Sequence, residues 1–173
     1  MNLIKVLVAA TVLTTSVYSF SVSNTQGGTI NLNSYQHKSI LFVNIATGNS
    51  SRVSQLAGLQ QLQQQHADSL VIIAFPSNSF GNEPRSNAEI QQFCQSNYGV
   101  TFPIAALGAV EGAGTQPIYH WLTTKTENGN MDVQVKGDFQ KFLVDSEGNL
   151  VGVFSGSVLP NDTELTSAIT SSF

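Results

Sequence analysis

At 173 residues with a single cysteine, the chain suits one domain whose core needs neither disulfide nor metal staples. Charged residues are only 10% of it, against roughly 25% in an average soluble protein, so its surface is polar but largely uncharged. The net charge of −4 and the absence of any Lys or Arg run exclude nucleic acid and anionic membrane surfaces as partners.

In chain order, Lys5 forms a short positive region, residues 6–15 an uncharged apolar stretch, and Val17-Tyr18-Ser19 a cleavage-site pattern. The reading is an export signal over 1–19 cut after Ser19, a polar extension over 20–28 and a folded domain over 29–173. The apolar run falls well short of the roughly 20 residues that span a bilayer. The mature chain is therefore expected to be periplasmic or extracellular and off the membrane.

Residues 40–45 (ILFVNI) and 70–75 (LVIIAF, stopped by Pro76) read as buried strands. Between them, 50–65 places Val53, Leu56, Leu59 and Leu62 on one helical face. A second helix over 86–95 starts at a Ser or Asn cap and puts Ile90, Phe93 and Cys94 on one face. Residues 101–104, a Gly-rich loop to Gly114 and a helical turn over 117–122 follow. Residues 139–145 and 150–154 read as an antiparallel hairpin around Ser146-Glu147-Gly148-Asn149, and 160–169 as a closing helix. The order βαβα then ββα predicts an α/β, thioredoxin-like fold: a central mixed β-sheet flanked by helices on both faces. Strands 40–45 and 70–75 are expected to lie parallel in the middle of that sheet.

Four segments carry a resemblance: LFVNIATGNS at 41–50, FPSNSFGNEPRSN at 75–87, FCQSNYGVTFP at 93–103 and FQKFLVDSEGNLV at 139–151. In order and spacing they resemble the signature blocks of the glutathione peroxidase family. The resemblance implies a thiol or selenol peroxidase, reduced by glutathione or thioredoxin and acting in the response to oxidative stress. Its reactive thiolate would sit where a strand meets a helix N-terminus, surrounded by Gln, Trp and Asn.

The resemblance places Asn49 where the family has its nucleophilic Cys, Ser79 at the Gln, Gly137 at the Trp and Asp138 at the Asn. A carboxamide has no thiolate form, so the redox step is expected to be lost. The loop at 80–87 is also one residue shorter than the family pattern. The expectation is a non-catalytic, peroxidase-like binding or stress-associated protein, using an opened pocket for a small polar or anionic ligand or a partner protein. The alternative is a hydroperoxide reductase working through Cys94, which otherwise reads as a core residue. Ser50 and Ser51 read as helix caps rather than nucleophiles. His37, His66 and His120 are too scattered to hold a metal, and no cofactor is implied.

Overall fold

The computed structural model describes residues 14–173; residues 1–13, the charged and apolar part of the predicted signal, lie outside them. A short hairpin, β1 (Ser21–Ser23) and β2 (Thr29–Asn31), stands where the sequence suggested a polar extension. The main sheet holds β3 (Ser39–Ile45), β4 (Leu70–Pro76), β5 (Lys141–Val144) and β6 (Leu150–Phe154). Its order is β4-β3-β5-β6, with β3 parallel to β4 and antiparallel to β5. Helices α1 (Gln55–Gln65), α2 (Asn87–Tyr98), α3 (Pro117–Thr123), α4 (Lys125–Asn128) and α5 (Thr163–Ser171) complete the fold.

Every residue of β3 and β4 is buried because strand side chains alternate between two covered faces. Leu41, Val43 and Ile45 join Leu56, Leu59, Ile90, Cys94 and Leu165 in one core layer. Ile40 and Phe42 join Leu32, Tyr119, Trp121 and Phe142 in the other. Each such side chain contributes on the order of 2 kcal/mol, so the run 40–45 fixes both layers at once. Ser86 caps α2, with the Glu89 carboxylate accepting from its N–H at 2.8 Å. Gly99 ends the helix in the left-handed conformation, at φ 63°.

Three expectations are corrected. Strand β4 is at the edge of the sheet, not the middle. That edge is closed by other means: the Gln63 carboxamide bonds Leu70 O at 2.8 Å and Ile72 N at 2.7 Å, and Ala74 exchanges bonds with Pro103 and Ala105. Strand β5 starts at Lys141 rather than at residue 139, because Phe139 is in the left-handed region (φ 64°) and turns the chain. Helix α1 starts at Gln55, after consecutive turns over 50–54. Ser50 and Ser51 therefore cap nothing.

Candidate functional site

The turn after β3, the loop after β4 and the turn before β5 meet at one end of the sheet. Parallel β3 and β4 both finish there, and antiparallel β5 begins there. Asn49 opens the turns leading to α1; its carbonyl accepts from Arg52 N at 3.1 Å and Val53 N at 2.9 Å. Its side chain is engaged at both ends: Nδ2 donates to Asp138 Oδ2 at 2.8 Å, and Oδ1 accepts from Ser51 Oγ at 2.9 Å.

Asp138 is 1% exposed. Its Oδ2 also accepts from Asn82 Nδ2 at 2.7 Å, while Oδ1, equally buried, has no partner among the described residues. The Phe139 turn aims this carboxylate at Asn49 and is pinned by the Phe139 N–H on Asn44 O at 2.6 Å. Asn44 Nδ2 secures the same turn by donating to Gly137 O at 2.9 Å.

The 82–85 segment is clamped onto the Asn49 turn by a buried carboxylate. Glu83 accepts from Thr47 N and from Thr47 Oγ1, both at 2.6 Å, and from Arg85 N at 3.1 Å. Gly48 N donates to Asn82 O at 3.0 Å, and a Cβ at Gly48 would fall 2.5 Å from that oxygen. Only glycine admits so close an approach.

Of the residues singled out in the sequence, Asn49 and Asp138 are therefore joined, with Gly137 beside them. Ser79 lies at the same end of the sheet but bonds elsewhere: it pairs with Ser77 Oγ at 3.0 Å and accepts from Val110 N at 3.2 Å. Sequence reasoning missed Asn82, Glu83, Thr47 and Arg52. The shortened loop at 80–87 was the one signal pointing to Asn82 and Glu83; nothing in the sequence marked Thr47 or Arg52.

Gly137 opens onto a cleft of about 470 Å³ lined by Arg52, Lys136, Asp138, Val153 and Ser157 among others. The Arg52 guanidinium crosses this space: a Cβ at Gly137 would lie 3.7 Å from its Nη1, and one at Gly156 3.3 Å from its Cζ. Among the described residues no group of His, Cys, Asp and Glu could hold a metal ion.

Cys94 is wholly buried on α2. Burial, and then the Glu83 carboxylate, push its thiol up to about 12, with Arg85 only partly offsetting them. Behind the site, Lys141 is also buried, and its ammonium donates to Gln55 Oε1 at 2.8 Å, Phe139 O at 2.9 Å and Val158 O at 2.7 Å. Three hydrogens meet three acceptors, and one of those acceptors belongs to the turn that aims Asp138.

Burial, reinforced by Arg52 and opposed by Asp162, lowers the Lys141 pKa from 10.5 to about 8. In this interval the unfolded chain holds the proton that the folded one has released, so stability rises with pH. Below the interval both states are protonated and the full cost of burying the charge stands. In a Cys94→Ser background, urea unfolding should show stability climbing from about pH 8 toward 10, by at most about 1.4 kcal/mol per pH unit, and Lys141→Met should flatten the climb. With Cys94 present the climb stalls at about pH 9, where its thiol, pushed up to about 12 in the folded chain, ionises first in the unfolded one. The window closes near pH 10, where Tyr119, whose pKa burial raises, begins to ionise preferentially in the unfolded chain. An identical slope in the variant would remove Lys141 as the cause.

A mixed sheet of this order with helices on both faces defines a thioredoxin-like α/β domain. Solved structures agree: a thioredoxin-family thiol:disulfide interchange protein of Chlorobium tepidum superposes with TM-score 0.66 at 18% identity, covering 92% of this chain and 97% of its own. The crystal structure of Trgpx in apo form gives TM-score 0.70 at 26% identity, covering 91% of this chain and 95% of its own. The glutathione peroxidase family model matches residues 17–123. A glutathione peroxidase homolog of Staphylococcus epidermidis is 38% identical over 147 residues, 84% of this chain and 92% of that protein. A glutathione peroxidase-like peroxiredoxin of Chlamydomonas reinhardtii is 37% identical over 145 residues, 83% and 88%. The chain belongs to the glutathione peroxidase family.

Proposed function

We propose that this chain is an exported family member without peroxide chemistry, acting as a binding or stress-associated protein through the cleft at Gly137, beside the Asn49–Asp138 pair. The supporting observation is the state of Asn49. The family resemblance assigns that position to the nucleophile, and here it is a carboxamide committed to Asp138 and Ser51. Neither end can ionise to attack an O–O bond. The cleft at Gly137 offers Arg52, Lys136 and serine hydroxyls to a small polar ligand or a protein segment. The Asp138 carboxylate at its base disfavours an anion directly over Asn49. Export rests on the pattern of residues 1–19.

The competing reading, turnover through Cys94, is opposed by that thiol's burial and raised pKa and by the lack of a second cysteine to resolve an oxidised one. The purified chain should consume hydrogen peroxide, with glutathione or thioredoxin as reductant, no faster than a control protein with one inert thiol. Turnover abolished by Cys94→Ser would establish the competing reading. Turnover that survived the substitution would overturn both.

A further inference from the structure

We propose that residues 15–19 are an integral part of the folded domain and stay on the mature chain, so that the processing bond lies upstream of Thr15 rather than after Ser19. The position of the bond rests on the export reading; retention rests on packing.

Val17 is 0% exposed, in the core layer that holds Ile40, Trp121, Phe142 and Leu150. Thr15 is tied at both ends of its backbone: its N–H donates to Glu127 O at 3.1 Å, and its carbonyl accepts from Trp121 Nε1 at 2.6 Å. Trp121 is itself 1% exposed, so losing Thr15 leaves a buried indole N–H without an acceptor. Ser16 starts the 3-10 helix Val17–Ser19, its Oγ accepting from Tyr18 N at 3.3 Å and its carbonyl from Ser19 N at 3.0 Å. The Tyr18 hydroxyl donates to Ser146 O at 3.3 Å, and its ring lies so close over Gly148 that a Cβ there would be 2.8 Å from Cε2. The segment therefore contacts α3, α4 and the β5–β6 turn, regions more than 100 positions away along the chain. The family match likewise begins at residue 17, inside the stretch that a cut after Ser19 would discard.

An export peptidase reads the chain before it folds, so burial in the finished domain does not shield a bond from it. Burial does determine what the cut leaves behind. Removal after Ser19 would take a fully buried Val out of a close-packed layer and leave that layer open beside Gly148. The small-residue pattern at the third and first positions before the cut is met by Val17 and Ser19, and also by Val12 and Thr14 at the end of the apolar stretch, with a signal of 14 residues, just under the usual length of about 15–30. The second choice places the bond directly before Thr15 and leaves every contact above intact.

The test is the N-terminus of the full-length chain recovered from the exported fraction of its natural host, read by intact mass and N-terminal sequencing. A start at Thr15 or upstream is the expected result; a start at Val17, Phe20 or Ser21 would overturn the proposal. A retained Met1 in the soluble fraction would end the export reading while supporting retention of the segment, so the two failures are distinguishable. In parallel, chains beginning at Thr15 and at Phe20 are produced without a signal, together with Val17→Asp in the longer one. The Phe20 chain and Val17→Asp should each melt about 10 °C or more below the Thr15 chain, or fail to fold. Melting within about 2 °C of it by the Phe20 chain would overturn the structural half of the proposal.

Discussion

Asn49→Cys should give a thiol that hydrogen peroxide oxidises slowly, and adding Asp138→Asn should raise that rate by about tenfold. The geometry sets the order of the two effects. In the parent, Asp138 Oδ2 sits 2.8 Å from Asn49 Nδ2, so a sulfur at position 49 would face a buried carboxylate. A like charge at that range raises a pKa by about 1–3 units. Each unit removed increases the thiolate fraction about tenfold, while the weaker nucleophilicity of a more acidic thiol takes back about half of that gain on a logarithmic scale. A two-unit change thus yields about one order of magnitude. An amide at position 138 keeps a carbonyl for the Asn82 donor, so the loop contact survives. Gly137→Trp would add less than the family pattern suggests, because the indole must first displace Arg52, already in contact range of a Cβ there. The measurement is the pseudo-first-order loss of the thiol introduced at position 49 under excess peroxide, in a Cys94→Ser background. Equal rates in the single and double variants would show that Asp138 does not restrain chemistry at this position.

The fold was legible where short-range pattern decides the outcome. The apolar runs at 40–45 and 70–75 could only be strands covered on both faces, and DSEGN at 145–149 could only turn a hairpin. It was less legible where distant contacts decide. Nothing local to 70–75 says that its outer edge is finished by a Gln63 side chain and the 103–105 segment rather than by another strand. Phe139, an apolar residue before an apolar strand, gave no sign of a left-handed turn; the Asn44 and Lys141 contacts on either side of it impose that conformation. Val17 satisfied a cleavage pattern and a core position with the same letter, and sequence reasoning weighed only the first. At the site, position-by-position resemblance found Asn49, Gly137 and Asp138. It did not find the Thr47–Glu83 clamp, whose partners are 36 positions apart, and it grouped Ser79 with a cluster that the hydroxyl does not join.

That clamp should be the most stabilising polar feature of the site. Glu83 is 3% exposed, and its two oxygens serve the Thr47 N–H, the Thr47 hydroxyl and the Arg85 N–H. Glu83→Ala would leave all three donors without an acceptor in a place water reaches poorly. Orphaned buried donors cost about 1–3 kcal/mol each when they cannot relax, and partial relaxation of the exposed side of the loop brings the expected total to about 3 kcal/mol. For a domain of this size that is a melting temperature lower by about 6–12 °C. Glu83→Gln should cost less, about 1–2 kcal/mol: its carbonyl can still accept from the Thr47 N–H, while its NH₂ meets donors where the second oxygen met them. Gly48→Ala attacks the same junction from the other side of the clamp, because its Cβ would lie 2.5 Å from the Asn82 carbonyl oxygen. Forcing that approach open would also withdraw Asn82 Nδ2 from Asp138. A Glu83→Ala protein that melted within about 2 °C of the parent would mean that the loop closes on β3 by backbone contacts alone. The ranking Ala below Gln below parent would instead assign the closure to a carboxylate that binds one turn of the chain to another, holding Asn49 and Asp138 against each other.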